Sequence, residues 1–138
     1  MTDAVLDASA VLAYALGEPG GEIVRKHLFG ATISAVNYSE VLKKTIERGG
    51  DMQDIASLLK GARVNVVAFD VRQAADAAAL YRKTKDAGIS FADRAGLALA
   101  VELNASLYTA DARLADVDVP IDVVLIREPM SAGAKKRK

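Results

Sequence analysis

Short apolar runs rich in branched residues recur along the chain, and between them apolar positions fall at helical spacing. The runs predict strands at 3–6, 31–34, 64–68, 106–109 and 123–126. The helical spacing predicts helices over 9–16, 21–29, 35–48, 51–60, 70–86, 91–103 and 112–116. Glycine and proline punctuate the pattern where elements should stop. Gly17, Pro19, Gly20 and Gly21 interrupt the first helical stretch, Gly49 and Gly50 close another, and Gly61 and Gly88 stand near two further ends. Strands alternating with helices specify an α/β fold with a parallel sheet and crossover helices, and 138 residues correspond to one domain. From Glu128 onward (EPMSAGAKKRK) the periodicity is lost, so the domain is expected over 1–127 and a flexible basic tail over 128–138.

Four acids sit where this pattern places the start or end of an element: Asp7, Glu40, Asp93 and Asp111. In an open parallel sheet the ligand crevice lies beyond the carboxyl ends of the strands, where strand order reverses. Asp7 follows the first strand and Asp111 follows the fourth, so both enter one crevice if those strands are neighbours. Asp93 falls three residues into the helix before strand four, and Glu40 in the second turn of the helix after strand two.

Each acid also has a purely local explanation. Ser90 and Asp93 fit a capping box, Asp111 can cap the short helix after it, and Asp7 can support the first helix beside Ser9. Glu40 can pair with Lys43 or Lys44 on a helix surface. Yet Asp7 and Glu40 interrupt apolar surroundings. Two carboxylates about 4 Å apart repel by roughly 4 kcal/mol at a typical effective dielectric, so a cluster must take up protons or a cation.

Composition narrows the chemistry. With no cysteine and one histidine, thiolate sites and Cys nucleophiles are excluded, and a Ser-His-Asp triad would have to use His27 on a peripheral helix. An all-oxygen site suits a hard divalent ion, Mg2+ or Mn2+. Aromatics are only 5% and Trp is absent, which disfavours a stacking platform for bases. Net charge is zero, but KKRK at 135–138 holds four of the 18 basic residues, leaving fourteen against 18 acids in the body. The tail could add nonspecific RNA affinity, but a solvated terminus is the simpler explanation. The N-terminus lacks the basic and apolar segments of a signal peptide, and no apolar run approaches the ~20 residues of a membrane span, so a cytoplasmic location away from membranes is expected.

VLDASAVLAY at the start, SAVNYSEVLKK in the middle and the nearly continuous ISFADRAGLALAVELNASLYTAD together resemble the PIN domain family, and within it the VapC toxins of toxin-antitoxin pairs. The resemblance spans residues 4–126. It implies a three-layer sandwich with a central five-stranded parallel sheet, and a Mg2+- or Mn2+-dependent endoribonuclease. Its acidic pocket carries over to Asp7, Glu40, Asp93 and Asp111 as catalytic and metal-holding residues. Ser9 and Thr109 would support them, and Asp116 or Asp118 could join or replace Asp111. Cleavage of this type leaves 5′-phosphates. It further implies a VapB-like antitoxin partner, a homodimer, and a structured RNA substrate such as tRNA or rRNA. Lys43, Lys44, Arg94 and Arg113 are the basic residues near the acids that could meet its phosphates. The 9–16 and 21–60 regions could offer an antitoxin helix a groove, or be internal core.

Rival readings fit less well. A phosphoacceptor receiver could use Asp70 after strand three, but it wants a second acid beside Asp7, where Ala8 stands, and a lysine after strand five, where Arg127 stands. A dehalogenase-like phosphatase wants Asp-x-Asp, which Asp7-Ala8-Ser9 does not supply. A noncatalytic PIN-like module binding RNA or protein is the alternative that keeps the fold.

Overall fold

The first strand, β1 (Ala4–Leu6), is apolar at every position because both faces of it are covered. Its side chains alternate between two cores. Ala4 and Leu6 enter one with Ile33 and Tyr108, whereas Val5 enters the other with Leu107. The structure, a computed structural model, describes residues 4–128. Position 3 of the expected first strand and 129–138 of the expected tail lie outside them.

From β1 the chain runs through α1 (Ala8–Leu16), α2 (Gly21–His27), β2 (Thr32–Ser34), α3 (Ala35–Glu47), α4 (Met52–Gly61) and β3 (Asn65–Val67). It returns through α5 (Val71–Ala79), α6 (Tyr81–Thr84), a 3-10 turn at Lys85–Ala87, α7 (Phe91–Leu103), β4 (Ser106–Thr109), α8 (Ala112–Ala115) and β5 (Val123–Leu125). The sheet is all parallel with strand order β3-β2-β1-β4-β5. Helices α1 to α4 supply Val11, Val24, Val41 and Leu59 to one core, and α7 and α8 supply Leu97, Leu99 and Leu114 to the other. The result is the expected three-layer sandwich.

β1 is the strand at which the order reverses: β2 lies on one side and β4 on the other. Leu6 is in register with Tyr108, and the Asp7 N–H continues the ladder to the Tyr108 carbonyl at 3.2 Å. The condition for a shared crevice is therefore met, and Asp7 emerges beside Thr109.

One expected element is corrected. The 70–86 helix is interrupted at Leu80, where Lys83 N–H bonds the Leu80 carbonyl at 3.0 Å and the chain tightens before Gly88 ends it at φ 71°. The Thr84 hydroxyl bonds the same carbonyl at 3.0 Å, a side-chain competitor that bends helices. Asp70 is not inside the helix but caps α5, accepting from Gln73 N–H at 2.9 Å. In the 9–16 and 21–60 regions the core reading accounts for Val11, Val24, Val41, Ile55 and Leu59, all buried; Leu16, Ile46 and Met52 are exposed. Among the described residues no helix is long and apolar enough to cross a membrane.

Candidate active site

Asp7 ends β1 and caps α1 in one step. Its extended backbone at ψ 178° turns the chain into the helix, and Oδ1 accepts from the Ala10 N–H at 2.9 Å and the Ser9 hydroxyl at 2.7 Å. The side chain sits at the floor of the crevice, and the residue is only 4% exposed. Burial pushes its carboxyl up to about 6, against hydrogen bonds from Thr109, Ser9 and Ala10 that favour the charged form, with the Asp93 charge adding to the rise.

Ser9 and Thr109 lock this acid to the neighbouring strand. The Ser9 hydroxyl also accepts from the Ala110 N–H at 2.9 Å, and Thr109 Oγ1 accepts from the Asp111 N–H at 3.0 Å. The two hydroxyls are 3.4 Å apart. They join the carboxyl ends of β1 and β4 into one polar floor.

Asp111 caps α8 through the Arg113 N–H at 3.0 Å. It also holds the Arg113 side chain, and this guanidinium keeps its carboxyl below the usual carboxylate range. Asp93 reaches the crevice from α7, where it completes a capping box: Oδ2 accepts from Ser90 N–H at 3.1 Å, and Ser90 Oγ accepts from Asp93 N–H at 3.2 Å. Glu40 arrives from the middle of α3. It is partly exposed, and its side chain has no hydrogen bond or ion pair among the described residues. Lys43 pairs instead with Glu47, one turn on, at 3.0 Å.

All four acids line one pocket of about 230 Å3, together with Ser9, Asn37, Lys44, Ser90 and Arg113. Three of them act as helix caps at the same time, so the local explanations describe real contacts without exhausting what the side chains do. Lys44 and Arg113 lie at the pocket. Lys43 and Arg94 do not line it: the Arg94 guanidinium lies 5.7 Å over the Tyr81 ring and donates to the Ile89 carbonyl at 3.3 Å. Asp116 and Asp118 are exposed and outside the pocket. His27 stacks on Tyr108 at 4.7 Å, also outside it.

Sequence reasoning missed Asn37 and gave Ser90 only its capping role. Asn37 precedes Glu40 by three residues and so shares its helix face. It is buried, its amide N–H donates to the Ala92 carbonyl at 3.0 Å, and its Oδ1 has no partner among the described residues. Gly96 lets this contact form, since a Cβ there would lie 2.9 Å from Asn37 Oδ1. The absent side chain brings α3 and α7, the helices of Glu40 and Asp93, together.

The donor set fits a hard divalent ion in kind: carboxylates and hydroxyls, with no nitrogen or sulfur ligand. Among the described residues no three acids already stand at metal-binding separations. An ion held there would need these carboxylates closer together, and the Glu40 side chain is partly exposed and unpaired among the described residues.

The PIN domain family model matches residues 4–120. The chain belongs to the PIN domain family. Solved structures of other proteins reproduce its fold over most of its length. A toxin-antitoxin complex from Klebsiella pneumoniae aligns with a TM-score of 0.75 at 19% identity, covering 91% of this chain and 99% of the other. VapC20 from Mycobacterium tuberculosis, a sarcin-ricin loop cleaving toxin, aligns at 0.68 and 14% identity, covering 83% and 96%. A DNA-bound VapBC from Salmonella typhimurium aligns at 0.65 and 15%, covering 90% and 97%. At these identities what is shared is the fold. No curated protein matches the chain in sequence.

Proposed function

We propose that this PIN domain is a Mg2+- or Mn2+-dependent endoribonuclease and the toxin of a VapBC-like pair. The observation that carries the reading is the meeting of Asp7, Glu40, Asp93 and Asp111, from four distant segments, in one pocket at the strand-order reversal. A divalent ion bound there would neutralise charge on the scissile phosphate and lower the pKa of an attacking water. Asp7, Glu40 and Asp93 would hold it, being free of ion pairs among the described residues, whereas Asp111 has one. Glu40, partly exposed and without an ion pair among the described residues, would orient or deprotonate the water. Ser9 and Thr109 fix the Asp7 carboxylate. Lys44, one turn beyond Glu40, offers an ammonium to the phosphate backbone.

Two of the structural relatives are toxin-antitoxin assemblies and a third cleaves the sarcin-ricin loop. By analogy this chain takes a small antitoxin that covers the acidic pocket, acts in the cytoplasm on a structured RNA, and works as a homodimer.

The test is to incubate the antitoxin-free chain with total cellular RNA in Mg2+ or Mn2+, beside an EDTA control and the Asp7→Asn variant, and to map the fragment ends. Discrete cuts bearing 5′-phosphates, absent with EDTA and in the variant, support the reading. Ends with 2′,3′-cyclic phosphates overturn it. Intact Mn2+ binding without cleavage of any RNA favours a noncatalytic binding module.

A further inference from the structure

Among the described residues Arg113 is the only cation that grips one of the four pocket acids. Nε donates to Asp111 Oδ1 at 3.0 Å and Nη2 to Oδ2 at 2.6 Å, so one planar fork occupies both carboxylate oxygens. Nη1 donates to the Gly88 carbonyl at 2.9 Å, on the turn that leads to the Ser90 cap of α7. The guanidinium is thus fixed at two points across the pocket mouth, and it lies within electrostatic reach of Asp93. Gly88 packs closely on it: a Cβ there would lie 3.3 Å from Nη1.

The charges of the pocket reach the same end. Four carboxylates face two cations, Lys44 and Arg113, leaving two net negative charges, which one divalent cation balances. We propose that Arg113 is a built-in counter-cation: it withdraws Asp111 from ion binding and leaves a single divalent ion to Asp7, Glu40 and Asp93. Arg113 is then a positioning residue, standing where a second ion would need carboxylates. A tethered guanidinium is always at its site, so a second ion has to displace a group of high effective concentration. This inference rests on the metal-dependent reading above.

Counting bound Mn2+ tests it, by electron paramagnetic resonance and calorimetry on the metal-free full chain without RNA. One ion is expected on the unmutated protein and two on Arg113→Gln. Arg48→Gln, which removes the same charge from an exposed pair with Glu18 outside the pocket, should keep one. Asp111→Asn should leave the first ion's affinity within about three-fold, while Asp93→Asn weakens it about ten-fold or more. Two ions on the unmutated chain, one on a folded Arg113→Gln, or equal losses in Asp111→Asn and Asp93→Asn each overturn the inference. Should Arg113→Gln fail to fold, the two aspartate variants decide alone. Absence of Mn2+ from every protein overturns the metal-dependent reading and this inference together, whereas a wrong ion count overturns only the latter.

Discussion

The carboxyl ends of β1 and β4 are built alike and behave oppositely. Each ends in an aspartate that caps the next helix through a backbone N–H, Asp7 for α1 and Asp111 for α8. Asp7 is buried among hydroxyls and amides, with no cation paired to it among the described residues, and its carboxyl rises to about 6. Asp111 keeps a quarter-exposed side chain, holds Arg113 in a bidentate pair, and its carboxyl falls. The backbone task is the same, so capping does not decide an acid's chemistry. Burial and the neighbouring charge do. One end of the crevice holds a buried carboxyl with no cation paired to it among the described residues, and the other already has its cation.

The strongest way to break this contrast is to neutralise each acid in turn. Asp7→Asn keeps the cap and the shape but should slow metal-dependent RNA cleavage by about a thousand-fold, the scale of losing one group aimed at developing charge. Asp111→Asn should cost about ten-fold, as expected of a group outside the ion's own ligands. Equal losses in cleavage rate would erase the distinction.

A second test uses pH. Asp7 titrates at about 6 in the fold against 3.8 as its reference value, so its protonated form is the one the metal-free fold favours. Its favourable contribution is complete below about pH 4 and is lost as pH climbs through 6. Ionised at pH 7, it costs about 3 kcal/mol. Asp111 has the opposite sign: its contribution is present above the unfolded value and disappears as pH falls through its lowered folded one. Denaturant melts without metal should find Asp7→Asn more stable than the unmutated chain at pH 7.5, with the gap roughly halved by pH 5. A gap that does not change with pH would place the charge of Asp7 elsewhere.

Smaller effects separate the groups that support each acid. Ser9→Ala removes the hydroxyl that ties Asp7 to Ala110 and should lower Mn2+ affinity about 10- to 100-fold, measured by calorimetry. Arg113→Ala should move thermal stability by no more than about 1 kcal/mol, because its side chain is 55% exposed and water replaces much of the pair. A larger loss in the melt would mean that the Gly88 contact anchors the turn before α7.

Sequence pattern carried the fold where local chemistry and tertiary packing agree. The limits of α7 and β4 follow from Ser90 and Asp93 at one helix end, Asn104 in the left-handed conformation at the other, and the apolar run of β4. The break at Leu80 was not legible, since an alanine-rich stretch contains no breaker and the Thr84 contact depends on the folded helix. Of the candidate site, the four acids were readable as residues at element ends. Their meeting depended on β1 and β4 being neighbours, which no local pattern states. The grip of Arg113 on Asp111, two residues away, was near in sequence yet invisible, because a pair at that spacing does not face itself on a regular helix. It forms here because Asp111 is the cap and not a helical residue.

The Ser9 hydroxyl and the Ala110 N–H that meets it are 101 residues apart in the chain. β1 is made about a hundred residues before the strand that shelters its acid. While the chain is being synthesised, Asp7 stays in water with an ordinary carboxyl, and the pocket has no second wall until β4 has been made and docked. A chain cut short before residue 106 carries the first acid but no site. In a nuclease acting on RNA, this assembly order delays activity until β4 has been made and docked.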